Sequence, residues 1–349
     1  MQFTNEEVLQ AGSIPAVESK RVPTKWLILS AGKSAFFNAA DFADNLREAI
    51  SKRVSGAVSV ESSDTIADSI SSIQKLVRVI PKYDSIQFFY DGSESFLKSI
   101  FPAVVIARFF GKGTALFYYP NSIEDKISRM HRLALKLCRS VFVSSRYLQL
   151  DLAKLNIKSE VVLRPVTSNL LPARIVSKIQ PHILVKFNSA FDPGVFCAMK
   201  AVGIVKQKYP RTELTVLTDN PQEWVISSME AIEFLQRHVF MFSHEPKDLQ
   251  AVFAKADLFV NCSPEESLQP AILAAMSSGL PTISIETYGA REIIENGVNG
   301  MLIRPNDHSQ LADKIIKLIE EPALAESISK EAVKVKTRLS IDNFARLLQ

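Results

Sequence analysis

The chain has 349 residues, 47% hydrophobic and 22% charged, with a formal charge of +4. This length favours two domains with ample apolar material for their cores, and no apolar run reaches the roughly 18 residues needed to span a bilayer. Acids are interspersed among the Lys and Arg residues, so the mild basicity implies no nucleic-acid partner, although it leaves room for anionic ligands and for peripheral contact with anionic lipid.

Residues 1–22 read as an irregular lead-in, with acids where a signal peptide would carry basic residues. A cytoplasmic location is therefore expected, either free or against the inner face of a membrane. KWLILSAGK (25–33) is an apolar run ending in a glycine loop, the pattern of a buried parallel strand. In the stretch that follows, Phe37, Ala40, Leu46 and Ile50 recur at helical spacing. Residues 67–82 predict an amphipathic helix stopped by Pro81, 85–91 a strand, 96–112 a helix ending at Gly111, and 114–120 a strand. A helix over 123–139, a strand turning into a helix over 140–155, and a last strand at 159–166 complete this half. Alternation of this kind implies a doubly wound parallel sheet.

The two prolines and missing period of 167–181 mark a linker. A second βα series follows, with strands at 182–188, 213–219 and 238–243 and helices at 198–210, 222–236 and 246–256. Residues 256–307 then read as strand, acid-bearing loop, helix, strand, glycine loop, helix, glycine turn and short strand. The tail is helical with a break at Pro322. The expected organisation is a lead-in (1–22), a first Rossmann-like domain (23–166), the linker, a second Rossmann-like domain (182–325) and terminal helices crossing back to the first domain (326–349). In open α/β sheets ligands bind beyond the carboxyl ends of the strands, so a cleft between two such domains is the natural site.

Several chemistries fail on spacing. Cys138, Cys197 and Cys262 form no Cys-x-x-Cys pair, and the five histidines have no partner spacing, so no metal site is expected. Gly32-Lys33-Ser34 follows a strand, but Leu27 stands where a phosphate loop needs its first glycine. AGKSAF lacks the G-x-G-x-x-G of nicotinamide-dependent oxidoreductases.

The run Glu266-Ser-Leu-Gln-Pro270-Ala-Ile-Leu-Ala274-Ala-Met276-Ser-Ser-Gly279-Leu-Pro281 resembles the E-G-F-G-x-x-x-x-E-A-M-A-x-G-x-P hallmark of glycosyltransferase family 4. The following YGAREIIENGVNGMLIRPND matches that family's Gly-Gly-x-x-Glu loop and Asn-Gly turn. The resemblance implies a GT-B fold and retaining transfer of a sugar from a nucleotide-sugar co-substrate. It also implies no metal and no other cofactor, and a cell-surface glycan or lipid-linked saccharide as acceptor.

On that template Glu266 contacts the donor sugar, and the helix opening at Pro270 offers the N–H groups of Ala271 and Ile272 to the diphosphate. Gly289 and Glu292 lie near the second phosphate or the sugar, and Lys186, Asn188 and Gly194 are donor-side candidates, although neither basic ligand of the diphosphate is at its usual place and Lys186 lies two positions away. Gly32, Lys33, Tyr118 and Tyr119 line the N-terminal side of the cleft. These residue types suit the task. Carboxylates accept paired hydrogen bonds from sugar hydroxyls, and free N–H groups at helix starts meet phosphate oxygens.

The chain departs from the family at several points, among them the glycine-rich loop after the first strand, reduced to Ala31-Gly32-Lys33-Ser34. Ala274 replaces the acid that holds the ribose, Lys186-Phe187-Asn188 replaces the Gly-Arg that begins the basic pair, and Tyr118-Tyr119-Pro120 replaces a sugar-contacting His. The alternative reading is a catalytically inactive relative acting as a binding or partner subunit.

Overall fold

The computed structural model describes residues 25–31, 33–34, 37–38, 45–50, 52, 58–62, 70–90, 100–120, 129–166, 173–187, 192–218, 239–242, 246–264 and 270–347. The chain divides into two compact units, Met1–Thr167 with Leu339–Gln349, and Ser168–Arg338.

The first unit is built on six parallel strands: β1 (Trp26–Ala31), β2 (Val58–Ser62), β3 (Ser85–Tyr90), β4 (Gly113–Tyr118), β5 (Ser140–Val143) and β6 (Glu160–Val161), in the order β2-β1-β3-β4-β5-β6. Strand periodicity sends successive side chains to opposite faces, and both faces are apolar. Leu27, Leu29, Phe88, Leu116 and Tyr118 enter one core, whereas Ile28, Phe89, Phe117 and Tyr119 enter the other. The first face packs against α1 (Ile70–Val79), α2 (Phe101–Phe109), α3 (Arg129–Leu137) and α4 (Arg146–Lys154). Ser145 opens α4 by accepting from the Leu148 N–H at 3.2 Å. The second face is covered by the helical stretch 45–50 and by the last helix of the chain.

Three features of this unit differ from the sequence reading. Val58–Ser62 is a strand, although its polar alternation carried no buried-strand signal; among the described residues it is an edge strand paired to β1 alone. The strand expected over 159–166 ladders only at Glu160–Val161, because its neighbour β5 ends at Val143, whose carbonyl accepts the Val162 N–H at 2.8 Å. Lys33–Ser34 pairs antiparallel with Phe37–Asn38 rather than forming an open loop.

The second unit holds β7 (His182–Phe187), β8 (Glu213–Thr218), β9 (Val239–Phe242), β10 (Leu258–Asn261), β11 (Thr282–Ile285) and β12 (Met301–Ile303). Their parallel order is β9-β8-β7-β10-β11-β12, that of doubly wound nucleotide-binding sheets. The helices are α5 (Pro193–Lys208), α6 (Pro246–Lys255), α7 (Pro270–Ser277), α8 (Tyr288–Arg291), α9 (His308–Glu320), α10 (Pro322–Ala332) and α11 (Val335–Arg338). The helix expected over 222–236 lies outside the described residues.

The described part of the expected linker packs on this second unit. Val176 and Ile179 are buried, Arg174 donates to the Ala256 carbonyl and pairs with Asp257 at 3.6 Å, and the Val176 N–H donates to Ser329 Oγ at 2.9 Å. Gly279, just past α7, takes φ +81°, and an added Cβ there would stand 3.0 Å from the Arg174 carbonyl carbon and nearer its oxygen. Only glycine lets this segment lie so close. The chain leaves the second unit after Arg338, so α10 and α11 stay with it, and α12 (Ile341–Leu347) packs into the first unit. There Phe344 lies 5.2 Å from Phe117 and 6.2 Å from Phe89, ring centre to ring centre. Among the described residues no helix is long and apolar enough to cross a membrane.

Candidate functional site

The second sheet reverses its winding between β7 and β10. These strands are neighbours, with Ile183 opposite Leu258 and Val185 opposite Val260. From β7 the chain proceeds through α5 to β8 on one side, and from β10 through α7 to β11 on the other. The two outgoing loops therefore diverge at the carboxyl edge and open a crevice, the topological switch point at which such sheets bind ligands.

Two helix starts meet this edge, and their local chemistry differs. Asp192 caps α5: its Oδ1 accepts from the Gly194 N–H at 2.8 Å, with Pro193 at the first helical position. That N–H is thus already occupied by a carboxylate of the chain itself. At α7 the first described residue is Pro270, and the N–H groups of Ala271, Ile272 and Leu273 have no acceptor carbonyl among the described residues of the helix. Their side chains are buried, which fixes the helix while the backbone donors point back toward the loop. An anion placed there gains both hydrogen bonds and the favourable end of the helix dipole.

Gly194 seats the start of α5 directly on the loop leaving β10. A Cβ at this position would lie 2.5 Å from the Cys262 carbonyl carbon and 2.9 Å from the Cys262 Cβ. One turn further on, the thiol of Cys197 shares a hydrogen bond with that of Cys262; this bond draws Cys197 below the ordinary thiol range and, together with burial, pushes Cys262 well above it. The loop is polar although enclosed. Asn261 Nδ2 donates to Ser284 Oγ at 3.1 Å. Asn261 Oδ1 and Ser263 Oγ are buried with no hydrogen-bond partner among the described residues. A buried acceptor or hydroxyl left so costs about 1–3 kcal/mol, which makes this edge a candidate for polar contacts to a ligand.

Of the residues singled out from the sequence, Lys186, Gly194, Pro270, Ala271 and Ile272 come together at this edge. Lys186 is buried one residue before the end of β7. Gly289 is buried inside the single turn of α8, not in an open loop, and Glu292 follows it half-buried. That turn is capped by Thr287, whose Oγ1 accepts from the Ala290 N–H at 3.2 Å. Glu266, Asn188 and Gly32 lie outside the described residues, and of Lys33 only the backbone is placed.

Tyr118 and Tyr119 belong to the first unit's two cores and are not open to stack on a ligand. Tyr118 packs on Tyr90 and His131, each 5.6 Å away, and Tyr119 donates to the Val162 carbonyl at 2.9 Å. Alternation along β4 sends one ring to each apolar face of a two-sided sheet. Asp192, Asn261, Cys262 and Ser263 were not singled out. The Asp-Pro pair at 192–193 was the available signal, a capping acid before a proline at the first helical position.

Residues 181–335 match the family model described as glycosyl transferases group 1. The chain is 28% identical over 142 residues to the putative glycosyltransferase EpsD of Bacillus subtilis, covering 41% of this chain and 37% of that one. It is 26% identical over 148 residues to the poly(glycerol-phosphate) alpha-glucosyltransferase of the same organism, covering 42% of this chain and 22% of that one. The curated relatives are thus matched over little more than a third of their length or less. Solved structures match more fully. Anabaena Alr3699/HepE in complex with UDP-glucose has a TM-score of 0.64 at 18% identity, covering 93% of this chain and 98% of that one. A glycosyltransferase from Rickettsia africae has a TM-score of 0.68 at 15% identity, covering 92% and 96%. The two doubly wound units therefore make a GT-B fold, and the second of them carries the glycosyl transferases group 1 match.

Proposed function

We propose that the protein is a glycosyltransferase that moves a sugar from a uridine-diphosphate donor to a glycan or lipid-linked acceptor, with retention and without a metal. The observation that carries this reading is the position of the switch point: β7, β10, α5 and α7 all fall within the stretch matched to the family model. UDP-glucose and UDP are the ligands named for the Anabaena neighbour, which supports uridine as the base.

In this reading the first-turn N–H groups of α7 hold the diphosphate. Lys186 supplies positive charge near the leaving group, and Glu266 accepts from hydroxyls of the transferred sugar. Fixed donors of this kind stabilise charge as it develops without having to reorganise. Ser263 Oγ and Asn261 Oδ1 offer further polar contacts to the donor. Ala274, where a ribose-binding acid would stand, removes a charge-assisted hydrogen bond worth about 1.5–3 kcal/mol.

That last feature favours a second reading, a GT-B-fold subunit that binds without catalysis. Calorimetric titration with UDP, GDP, ADP and their sugars, followed by turnover assays of the wild type and Glu266→Gln, separates the two. The transferase reading expects micromolar to millimolar UDP binding, retained in Glu266→Gln, and turnover reduced about 100-fold or more in that variant. No nucleotide binding at millimolar concentration overturns it in favour of the binding subunit.

A further inference from the structure

The outward surface of α1, α2 and α3 combines exposed apolar side chains with cations. The three helices form one layer over a single face of the sheet, burying Leu76, Val104, Ala107 and Leu135 beneath them. On their opposite side each exposes large apolar residues: Ile73 and Val77 on α1, Val105 and Phe109 on α2, Met130 and Leu133 on α3. Phe109 is 83% exposed and Met130 51%, where ordinary packing would hide them. The charge pattern is one-sided. Residues 70–83, 100–112 and 129–139 contain nine Lys or Arg and no Asp or Glu, although at the chain's average frequency they would hold about four acids. Eight of the nine cations are exposed and Lys112 is half-buried. Asp84, the nearest described acid in sequence, already accepts from the Lys25 N–H at 3.1 Å.

We propose that this face docks on a bilayer leaflet rich in anionic phospholipid. Headgroup phosphates take the cations while Phe109, Met130 and Leu133 enter the acyl boundary, the arrangement of interfacial amphipathic helices. Charge complementarity selects this occupant. A second copy meeting the face about a two-fold axis would set nine cations against nine, and a nucleic acid would leave the apolar residues facing a phosphate backbone. The inference rests on the first unit alone and does not depend on the donor chemistry.

Co-sedimentation of the full chain with vesicles tests it. Vesicles of phosphatidylcholine with about one phosphatidylglycerol in three should pellet the protein, pure phosphatidylcholine should not, and high salt should release it. Arg132→Glu with Lys136→Glu should lower partitioning roughly 100-fold or more, since each cation near such a surface contributes roughly fivefold. Phe109→Ser, a change at an exposed site, should lower it about tenfold with an unchanged thermal melt. The proposal is overturned by no binding to anionic vesicles at low salt, or by natively melting variants that bind like the wild type. Single-stranded RNA that displaces the protein from vesicles at equal charge, or a solution dimer broken by Phe109→Ser without vesicle binding, would also overturn it.

Discussion

Replacing Gly194 with Ala tests whether close seating of α5 on the β10 loop builds the crevice. The added Cβ would stand 2.5 Å from the Cys262 carbonyl carbon, whereas carbons in good contact are about 3.5–4.0 Å apart. Helix and loop must therefore part by about 1 Å. Overpacking of this kind costs about 1–3 kcal/mol, and the obstacle is backbone, which cannot swing away as a flexible side chain would. Alanine's better helix propensity returns up to about 1 kcal/mol. Gly203, nine residues along the same helix, supplies the control, because a Cβ there meets nothing within 4 Å. Gly203→Ala should stabilise by about 0.4–1 kcal/mol, leaving the two variants about 2 kcal/mol apart in urea denaturation. A displacement of about 1 Å at the site should also cost up to 100-fold in turnover, with little effect from Gly203→Ala. Equal stability of the two variants, or unaltered nucleotide binding and turnover in Gly194→Ala, refutes the reasoning.

Gly279→Ala meets both a left-handed backbone and the Arg174 carbonyl, so denaturation should report a loss of about 3 kcal/mol or more. Tyr119→Phe leaves the Val162 carbonyl without its buried donor, and the urea midpoint should fall by the equivalent of about 1–2 kcal/mol. His131 packs edge-on against Tyr118, and burial pushes its pKa down to about 4. The folded value lies below the unfolded one of about 6.5, so the unfolded chain binds this proton more readily between those limits. Its contribution is complete above pH 6.5 and is lost as the pH falls toward 4. With the ring partly solvated, the effect is on the order of 1 kcal/mol. Melting temperatures of wild type and His131→Phe at pH 7 and pH 4.5 check this: the variant should lose less on acidification.

The alternation of strands and helices was legible because buried parallel strands announce themselves, as WLILSA and HILVKF do. Val58–Ser62 was not, since an edge strand needs only one hydrogen-bonded neighbour and tolerates Ser and Glu. The start of α5 was placed five residues late because apolar periodicity is weak in its first turn, where Asp192 and Pro193 do the work of initiation. The motif alone points to Pro270 and Ala271, and their place at the carboxyl edge follows from the order of the strands. Asn261 and Ser263 carry no motif and were invisible; their interest arises from burial without a partner, which depends on what surrounds them. Tyr118 and Tyr119 erred in the other direction, because a sequence does not show that both faces of β4 are covered.

The first unit is made of two pieces, and its second apolar face is roofed partly by Phe344 and Ala345. On the ribosome, everything from Ser168 to Arg338 is synthesised before that roof exists. The stacked Phe89, Phe117 and Phe142 rings must wait, partly uncovered, until α12 has been made. The unit whose synthesis is interrupted by the other is thus completed after it, and a chaperone protecting newborn chains would find a long-lived client surface there.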